Sequence, residues 1–127
     1  MSLDLTAASK NLALNALYDQ ANSGTIKIYT GSSPGSGNAA TGTLLATLTF
    51  GSTAFAAASG ASKAANAITS GTGLAAGTAG YARMLKSDGT TVIEDGTVGT
   101  SGTDYVLNTT SIVVGATVSC SALTRTM

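Results

Sequence analysis

The first regular pattern of apolar positions lies near the N-terminus, in the stretch AASKNLALNALYDQANSG. Four residues fall at positions i, i+3, i+4 and i+7 of a helix and therefore share one face: Leu14, Leu17, Tyr18 and Ala21. Thr6 or Ser9 can cap the start, and Asn22-Ser23-Gly24 offers a left-handed residue at the end. The pattern predicts one helix from about Ala7 to about Asn22, lying across the edge or end of a sheet.

The pattern then changes to the period of two that is typical of half-buried strands. In TIKIYTG, Ile26 and Ile28 face one side and Lys27 and Tyr29 face the other. In TLLATLTFG, four apolar residues face the same way: Leu44, Ala46, Leu48 and Phe50. Between these strands lies the loop GSSPGSGNAATG. From residue 52 to residue 80 small residues dominate, and ANAIT is the one plausible strand there.

The second half of the chain contains a predicted hairpin and further short strands. Tyr81 to Lys86 should pair with Thr91 to Glu94, because Asp88-Gly89 readily forms a tight turn. DYVLN and TVSCSALTRT supply two more strands. About six to eight short strands with turns between them predict a mainly β fold, an antiparallel β-sandwich of the jelly-roll or Ig-like kind. We expect residues 1–127 to form one domain, with an N-terminal arm and one short helix over residues 1–23.

The composition indicates a thin core and a preference for association. Ala, Gly, Ser and Thr occupy 74 of 127 positions, so few bulky side chains are left to fill a core. Such a fold gains from a partner or from a homo-oligomer, a dimer or trimer. Charged residues make up only 9% of the chain and the net charge is zero. The six basic residues are scattered, which makes nucleic acid an unexpected partner.

For each candidate catalytic, cofactor-binding or metal-binding residue, a structural role explains the residue better. The sequence therefore predicts no catalytic, cofactor or metal site. The chain has no histidine, which removes imidazole catalysis. Cys120 alternates with polar residues and is expected to be a small buried hydrophobe. A Ser/Lys pair stays open but has no motif. The tyrosines are expected to be core anchors whose hydroxyls reach water: Tyr18, Tyr29, Tyr81 and Tyr105.

Two stretches of the sequence resemble binding sites but lack residues that such sites require. The loop from Gly31 to Gly42 lacks the lysine and the following helix of a phosphate-binding loop, so it is expected to be a flexible surface connection. The four acids of the second half lack a calcium-loop register and are expected to be solvated turn acids: Asp88, Glu94, Asp95 and Asp104. Glu94 and Asp95 should point to opposite faces of a strand. A cation bound at a subunit contact stays possible.

Membrane insertion and secretion are not expected. No stretch approaches the ~18 apolar residues that span a bilayer. The N-terminus MSLDLTAASK lacks the basic start and apolar run of a signal peptide.

Read in order, five stretches resemble a family of small virion proteins of tailed bacteriophages. They are GTIKIYTGSSP, LLATLTFG, ANAITSGTG, YARMLKSDGTTVIEDGTVGTSG and DYVLNTTSIVVGATVSCSAL. In that family a short N-terminal helix leads into an I-x-I-Y-x-G strand, and the chain closes with L-N-T-T-x-I and a G-A-T-V-S strand. The resemblance covers residues about 10 to 123 of this chain, and its specificity comes from the order of the pieces.

The resemblance implies a head decoration (cement) protein that binds the outside of the major capsid protein lattice. It implies assembly in the host cytoplasm, a final location on the virion surface and no catalytic residues. The expected capsid contacts are the MSLDL arm with the helix, and the loop from Gly31 to Gly42. The alternatives are a tail, baseplate or head-fibre component, and a small carbohydrate- or cation-binding module.

Overall fold

The computed structural model describes residues 4–127, which form a mainly β fold with one α-helix at the N-terminus, as predicted. The helix α1 spans Ala7–Tyr18 and continues as a 3₁₀ turn over Asp19–Ala21. The strands are β1 Thr25–Thr30, β2 Leu44–Phe50, β3 Ser62–Ala64, β4 Ile68–Thr69, β5 Gly71–Thr72, β6 Gly77–Leu85, β7 Val92–Gly99, β8 Tyr105–Leu107, β9 Ser111–Ile112, β10 Thr117–Val118, β11 Cys120–Ala122 and β12 Thr124–Thr126.

Thr6 rather than Ser9 caps the helix, because its Oγ1 accepts the N–H of Ser9 at 3.1 Å. Ser23, with a φ of 58°, supplies the left-handed residue after the 3₁₀ turn. Leu14, Tyr18 and Ala21 are buried as predicted, but Leu17 is 42% exposed. The prediction for Leu17 is wrong because the helix also turns a polar edge towards the body of the protein.

That polar edge is a ladder of asparagines. Three asparagine side chains each accept a backbone N–H at 2.9 Å: Asn11 from Ala61, Asn15 from Ala58, and Asn22, just after the helix, from Ala54. Asn11 and Asn15 are four residues apart and therefore lie on the same side of the helix. The ladder fixes the segment of residues 54–61, which has little regular structure of its own and for which the sequence predicted none.

The strands form one large sheet in the order β11-β8-β7-β6-β1-β2-β4, and β9 also pairs with β6. The predicted hairpin is confirmed as the antiparallel pair β6–β7. The strand pairs are antiparallel, as the predicted antiparallel sandwich requires, with one parallel exception between β7 and β8. TVSCSALTRT forms three short strands rather than one, because β10, β11 and β12 pair with β5, β8 and β3 in turn.

Two short ladders bring the edges of the large sheet together. Residues 62–64 pair with 124–126, and residues 71–72 pair with 117–118. In the chain, the edge strand β4 lies between β3 and β5, and the other edge strand, β11, lies between β10 and β12. The two ladders therefore hold the two edges close together, and the sheet curls into a nearly closed, barrel-like sandwich. Its interior is filled from alternate positions of the central strands, including Ile26, Ile28, Leu48 and Met84, which are fully buried.

The helix and the loop of residues 31–43 lie at opposite ends of this body. The chain leaves the helix, enters β1 at Thr25 and leaves β1 at Thr30, where the loop begins. We call these the helix end and the loop end.

Candidate functional site

The loop end is organised around the guanidinium of Arg83 on β6, whose side chain is 4% exposed. Its Nε and Nη2 donate to the two carboxylate oxygens of Asp95 at 2.7 and 3.0 Å. Asp95 is the residue opposite Arg83 on β7, so the ladder itself sets this bidentate pair. The remaining donors reach the loop, from Nη1 to the carbonyl of Asn38 at 2.9 Å and from Nη2 to that of Gly35 at 3.2 Å. Arg83 therefore ties the loop to the sheet.

Asp95 stays ionised in this setting. Burial opposes its negative charge, but hydrogen bonds from Arg83 and Ser33 and the charge of Arg83 outweigh burial, so the pKa of Asp95 is lowered. Ser33 donates from its hydroxyl to Asp95 Oδ2 at 2.5 Å, which adds a contact from the loop itself.

Both ends of the loop are fixed as well. The hydroxyl of Tyr81 donates to the carbonyl of Thr41 at 2.7 Å and accepts the N–H of the same residue at 3.1 Å. Tyr29 stacks on Tyr81 with ring centroids 5.1 Å apart. At the start of the loop, a Cβ at Gly80 would lie 1.8 Å from the carbonyl oxygen of Gly31, so only glycine allows this approach. The loop does connect two strands at the surface, but it is anchored rather than flexible.

A second charged centre lies on the opposite face of β7, around Glu94. Glu94 accepts the hydroxyls of Tyr18 at 2.6 Å and Tyr105 at 2.7 Å. Arg125 Nη2 lies 2.5 Å from Glu94 Oε2, and its Nη1 donates to the carbonyl of Asp104 at 3.0 Å. The guanidinium carbon of Arg125 also lies 5.0 Å from the ring centroid of Tyr105. This centre joins the helix, β7, β8 and β12.

These two centres correct part of the sequence interpretation. Glu94 and Asp95 do point to opposite faces, but they are partly buried ion-pair members and not solvated turn acids. Asp88 accepts the backbone N–H groups of Thr90 and Thr91 in the hairpin turn, as a turn acid does. The expectation that tyrosine hydroxyls reach water is wrong for Tyr18, Tyr81 and Tyr105, whose hydroxyls are bound by protein groups.

A signal for the first centre was present in the sequence. Arg83 interrupts the apolar run YARML in the middle of a predicted strand, and a charged residue at such a position requires a partner. The partner could not be chosen from the sequence, because the register of the hairpin decides between Glu94 and Asp95.

The raised pKa values of the tyrosines around Glu94 lead us to expect a loss of stability at alkaline pH. Burial and the hydrogen bond to Glu94 raise the pKa of Tyr18 to about 12, and burial with the charge of Glu94 raises that of Tyr105 well above 10. In the unfolded chain both ionise near pH ~10. The folded state therefore keeps protons that the unfolded state loses, and its stability falls as pH rises above about 10.

The measurement is denaturant unfolding from pH 8 to 12, with phenolate absorbance followed in parallel. We expect Tyr18→Phe to reduce the alkaline loss, whereas Tyr29→Phe, on the other face, should reduce it less. Equal pH dependence in wild type and in Tyr18→Phe would contradict the assignment.

Cys120 and Lys63 are the other residues that the sequence analysis considered as possible nucleophiles. Cys120 is partly buried and packs against the core, and burial raises the pKa of its thiol. Lys63 binds Asn15 and Asp19 rather than a serine. Within residues 4–127, no three His, Cys, Asp or Glu side chains are grouped so that they could hold a metal ion. No helix of this range is long and apolar enough to cross a bilayer.

A cavity of about 350 Å³ lies beside the loop, lined by residues that include Ser33, Tyr81, Asp95 and Asp104. Two of its acidic side chains already have partners within the protein. Asp95 is held by Arg83, and Asp104 accepts the N–H and hydroxyl of Thr97 at 3.0 and 3.2 Å. Both carboxylates are therefore engaged in contacts within the protein.

Large apolar side chains are exposed at both ends of the body. At the helix end they are Leu5, Leu12 and Leu17, which are spread around the helix and of which Leu12 is 71% exposed. At the loop end they are Leu74, Val113 and Val114. The N–H of Leu74 donates to the carbonyl of Leu45 at 2.8 Å, and the carbonyl of Gly73 accepts the N–H of Gly115 at 3.0 Å, so these residues stand beside the loop. We call them the helix-end and loop-end apolar patches.

Comparison of the chain with models of known protein families, with curated protein sequences and with solved structures found no match.

Proposed function

We propose that this protein is a structural virion protein of a tailed phage that binds the outside of the major capsid protein lattice as a decoration (cement) protein. The observation that carries the proposal is the position of the two apolar patches at opposite ends of a weakly charged body. Single exposed apolar residues are normal on a surface, but Leu74, Val113 and Val114 are held close together by the hydrogen bonds between Gly73 and residues 115 and 116, and such clustering favours contact with other proteins. The ordered sequence resemblance to small virion proteins of tailed phages supports the same function.

The structure changes which residues we propose as contacts. The arm Met1 to Leu5 lies partly outside the described residues, but Leu5, Leu12 and Leu17 of the helix end are exposed. The loop of residues 31–42 carries polar and small side chains and acts as a fixed support beside the loop-end patch. Because Arg83 and Tyr81 hold the loop in one conformation, little entropy is lost when a partner binds it.

Because each end of the protein binds a capsid protein, one copy joins two neighbouring capsid proteins in the lattice. A specific contact buries about 800 Å² per partner. Many copies acting together make modest single affinities sufficient.

The experiment is to mix the purified protein with capsid shells that lack it and to image them by electron microscopy. We expect regular density at fixed lattice positions. Leu12→Asp and Val114→Asp each place a charge in one patch and should lower occupancy by about tenfold or more when that patch is a contact. Ser101→Asp, at an exposed turn between β7 and β8, is the matched control and should bind as wild type does.

Bare shells would overturn the proposal. Density confined to the tail or to vertices of native particles would replace it with the tail, baseplate or head-fibre alternative. Unchanged occupancy for both patch variants would remove the patches from the contact.

A further inference from the structure

Lys63, in the middle of β3, places its amine against an amide and a carboxylate of the helix. Its side chain is 1% exposed, and its Nζ lies 2.6 Å from Asn15 Oδ1 and 2.9 Å from Asp19 Oδ1. Asn15 and Asp19 are four residues apart, so both reach the same amine from one side of the helix. Since a C=O bond is about 1.2 Å long, Nζ is within about 3.8 Å of the Asn15 carbonyl carbon Cγ.

The other contacts of Asn15 fix its orientation and polarise its carbonyl. Asn15 Oδ1 accepts the backbone N–H of Ala58 at 2.9 Å as well as the amine of Lys63. Two donors on this atom identify it as the oxygen, which leaves Nδ2 on the other side as the group able to leave. A backbone N–H aimed at a carbonyl oxygen is the donor that stabilises negative charge when a nucleophile adds to the carbon.

The arrangement therefore contains a buried amine as nucleophile, a polarised carboxamide as electrophile, a carboxylate as proton carrier and a donor for the oxyanion. We propose that Lys63 and Asn15 form an intramolecular isopeptide bond, with Asp19 as the proton carrier and the Ala58 N–H as the oxyanion donor. The inference rests on this geometry alone and does not depend on the proposed function.

The reaction is a transamidation without a co-reactant. The reaction needs Lys63 as the free amine, so the ammonium first gives one proton to solvent. Nζ adds to Cγ of Asn15 and gives one proton to the Asp19 carboxylate, which returns it to Nδ2 as the Cγ–Nδ2 bond breaks. One C–N bond forms, one C–N bond breaks, and one ammonia leaves. The adjoining cavity of about 250 Å³, lined by Asn15, Asp19, Phe55 and Lys63 among others, gives ammonia a path out.

The bond would change the mechanical character of the fold. The helix is held to the body by the asparagine ladder and by its buried face, and Asn15 and Lys63 are 48 residues apart in the sequence. A covalent link between them closes that stretch of chain and prevents the helix from separating from β3.

The first test is the intact mass of the folded full chain, compared with the mass expected from its sequence. We expect a deficit of about 17 Da, one ammonia. Trypsin should then cut after Lys10, Lys27 and Arg83 but not after Lys63, and release residues 11–27 joined to residues 28–83. An unchanged mass overturns the proposal. A deficit with normal cleavage after Lys63 also overturns it, because a succinimide at an asparagine loses the same ammonia.

Variants separate the roles of the three side chains. Lys63→Arg should show the full sequence mass, and a persisting deficit would overturn the assignment of Lys63. Asp19→Asn keeps the size of an exposed residue and should form the link at least about tenfold more slowly than wild type during incubation at neutral pH. Asp4→Asn, an exposed acid before the helix, is the matched control and should link as wild type does. Equal rates for Asp19→Asn and wild type would overturn the role of Asp19. Circular dichroism establishes that each variant is folded.

Discussion

Replacing Arg83 by methionine is expected to lower the free energy of unfolding by about 4 kcal/mol and to release the loop of residues 31–43. The variant leaves the carboxylate of Asp95, whose side chain is 6% exposed, without its charged partner. Breaking a buried ion pair from one side typically costs about 3–5 kcal/mol, because an uncompensated charge remains. The carbonyls of Gly35 and Asn38 lose their donors in the same step.

Denaturant unfolding measures the global loss, and hydrogen exchange of loop amides measures the local one. Lys86→Met, which removes a surface charge just beyond β6, should stay within about 0.5 kcal/mol of wild type. Should Arg83→Met fail to fold, the double variant Arg83→Met/Asp95→Asn is informative, since removing both charges costs less than removing one. If the loop amides of a folded Arg83→Met protein exchange at the wild-type rate, Arg83 does not hold the loop in place.

The parts of the fold that the sequence predicted correctly are those whose signals are local. The alternation of Ile26 and Ile28 and the turn at Asp88-Gly89 depend only on neighbouring residues, and both are confirmed. The helix was predicted to within a turn for the same reason. Leu17 was misplaced because the asparagine ladder, which uses residues 54–61, decides how the helix is rotated.

The remaining elements could not be predicted because their partners lie far away in the chain. The segment of residues 52–80 has few bulky residues, and its short strands exist because β3 pairs with β12 and β5 pairs with β10. β7 and β8 are joined by only residues 100–104 and yet pair in parallel, which no local sequence pattern indicates. The centre at Glu94 joins residues that are 76 positions apart for Tyr18 and 31 for Arg125, and no local pattern marks that meeting.

The second large effect is expected for Arg125→Met, with a loss of about 3 kcal/mol in the free energy of unfolding. This pair is less deeply buried than that of Arg83, because the side chains of Arg125 and Glu94 are 12% and 19% exposed. Solvent screening therefore reduces the penalty for the charge that remains. The variant also removes the contact of the guanidinium with the Tyr105 ring and its bond to the carbonyl of Asp104.

A double-mutant cycle with Glu94→Gln isolates the pair from these other contacts. The double variant should lose less stability than the sum of the two single variants, with a coupling of about 1–3 kcal/mol. Glutamine keeps a carbonyl oxygen for the hydroxyl of Tyr18 or Tyr105, so the loss in the double variant measures mainly packing. Additive losses would show that Arg125 acts through Tyr105 and Asp104 rather than through Glu94. A loss below about 1 kcal/mol for Arg125→Met alone would show that the helix is held by its asparagine ladder and buried face instead.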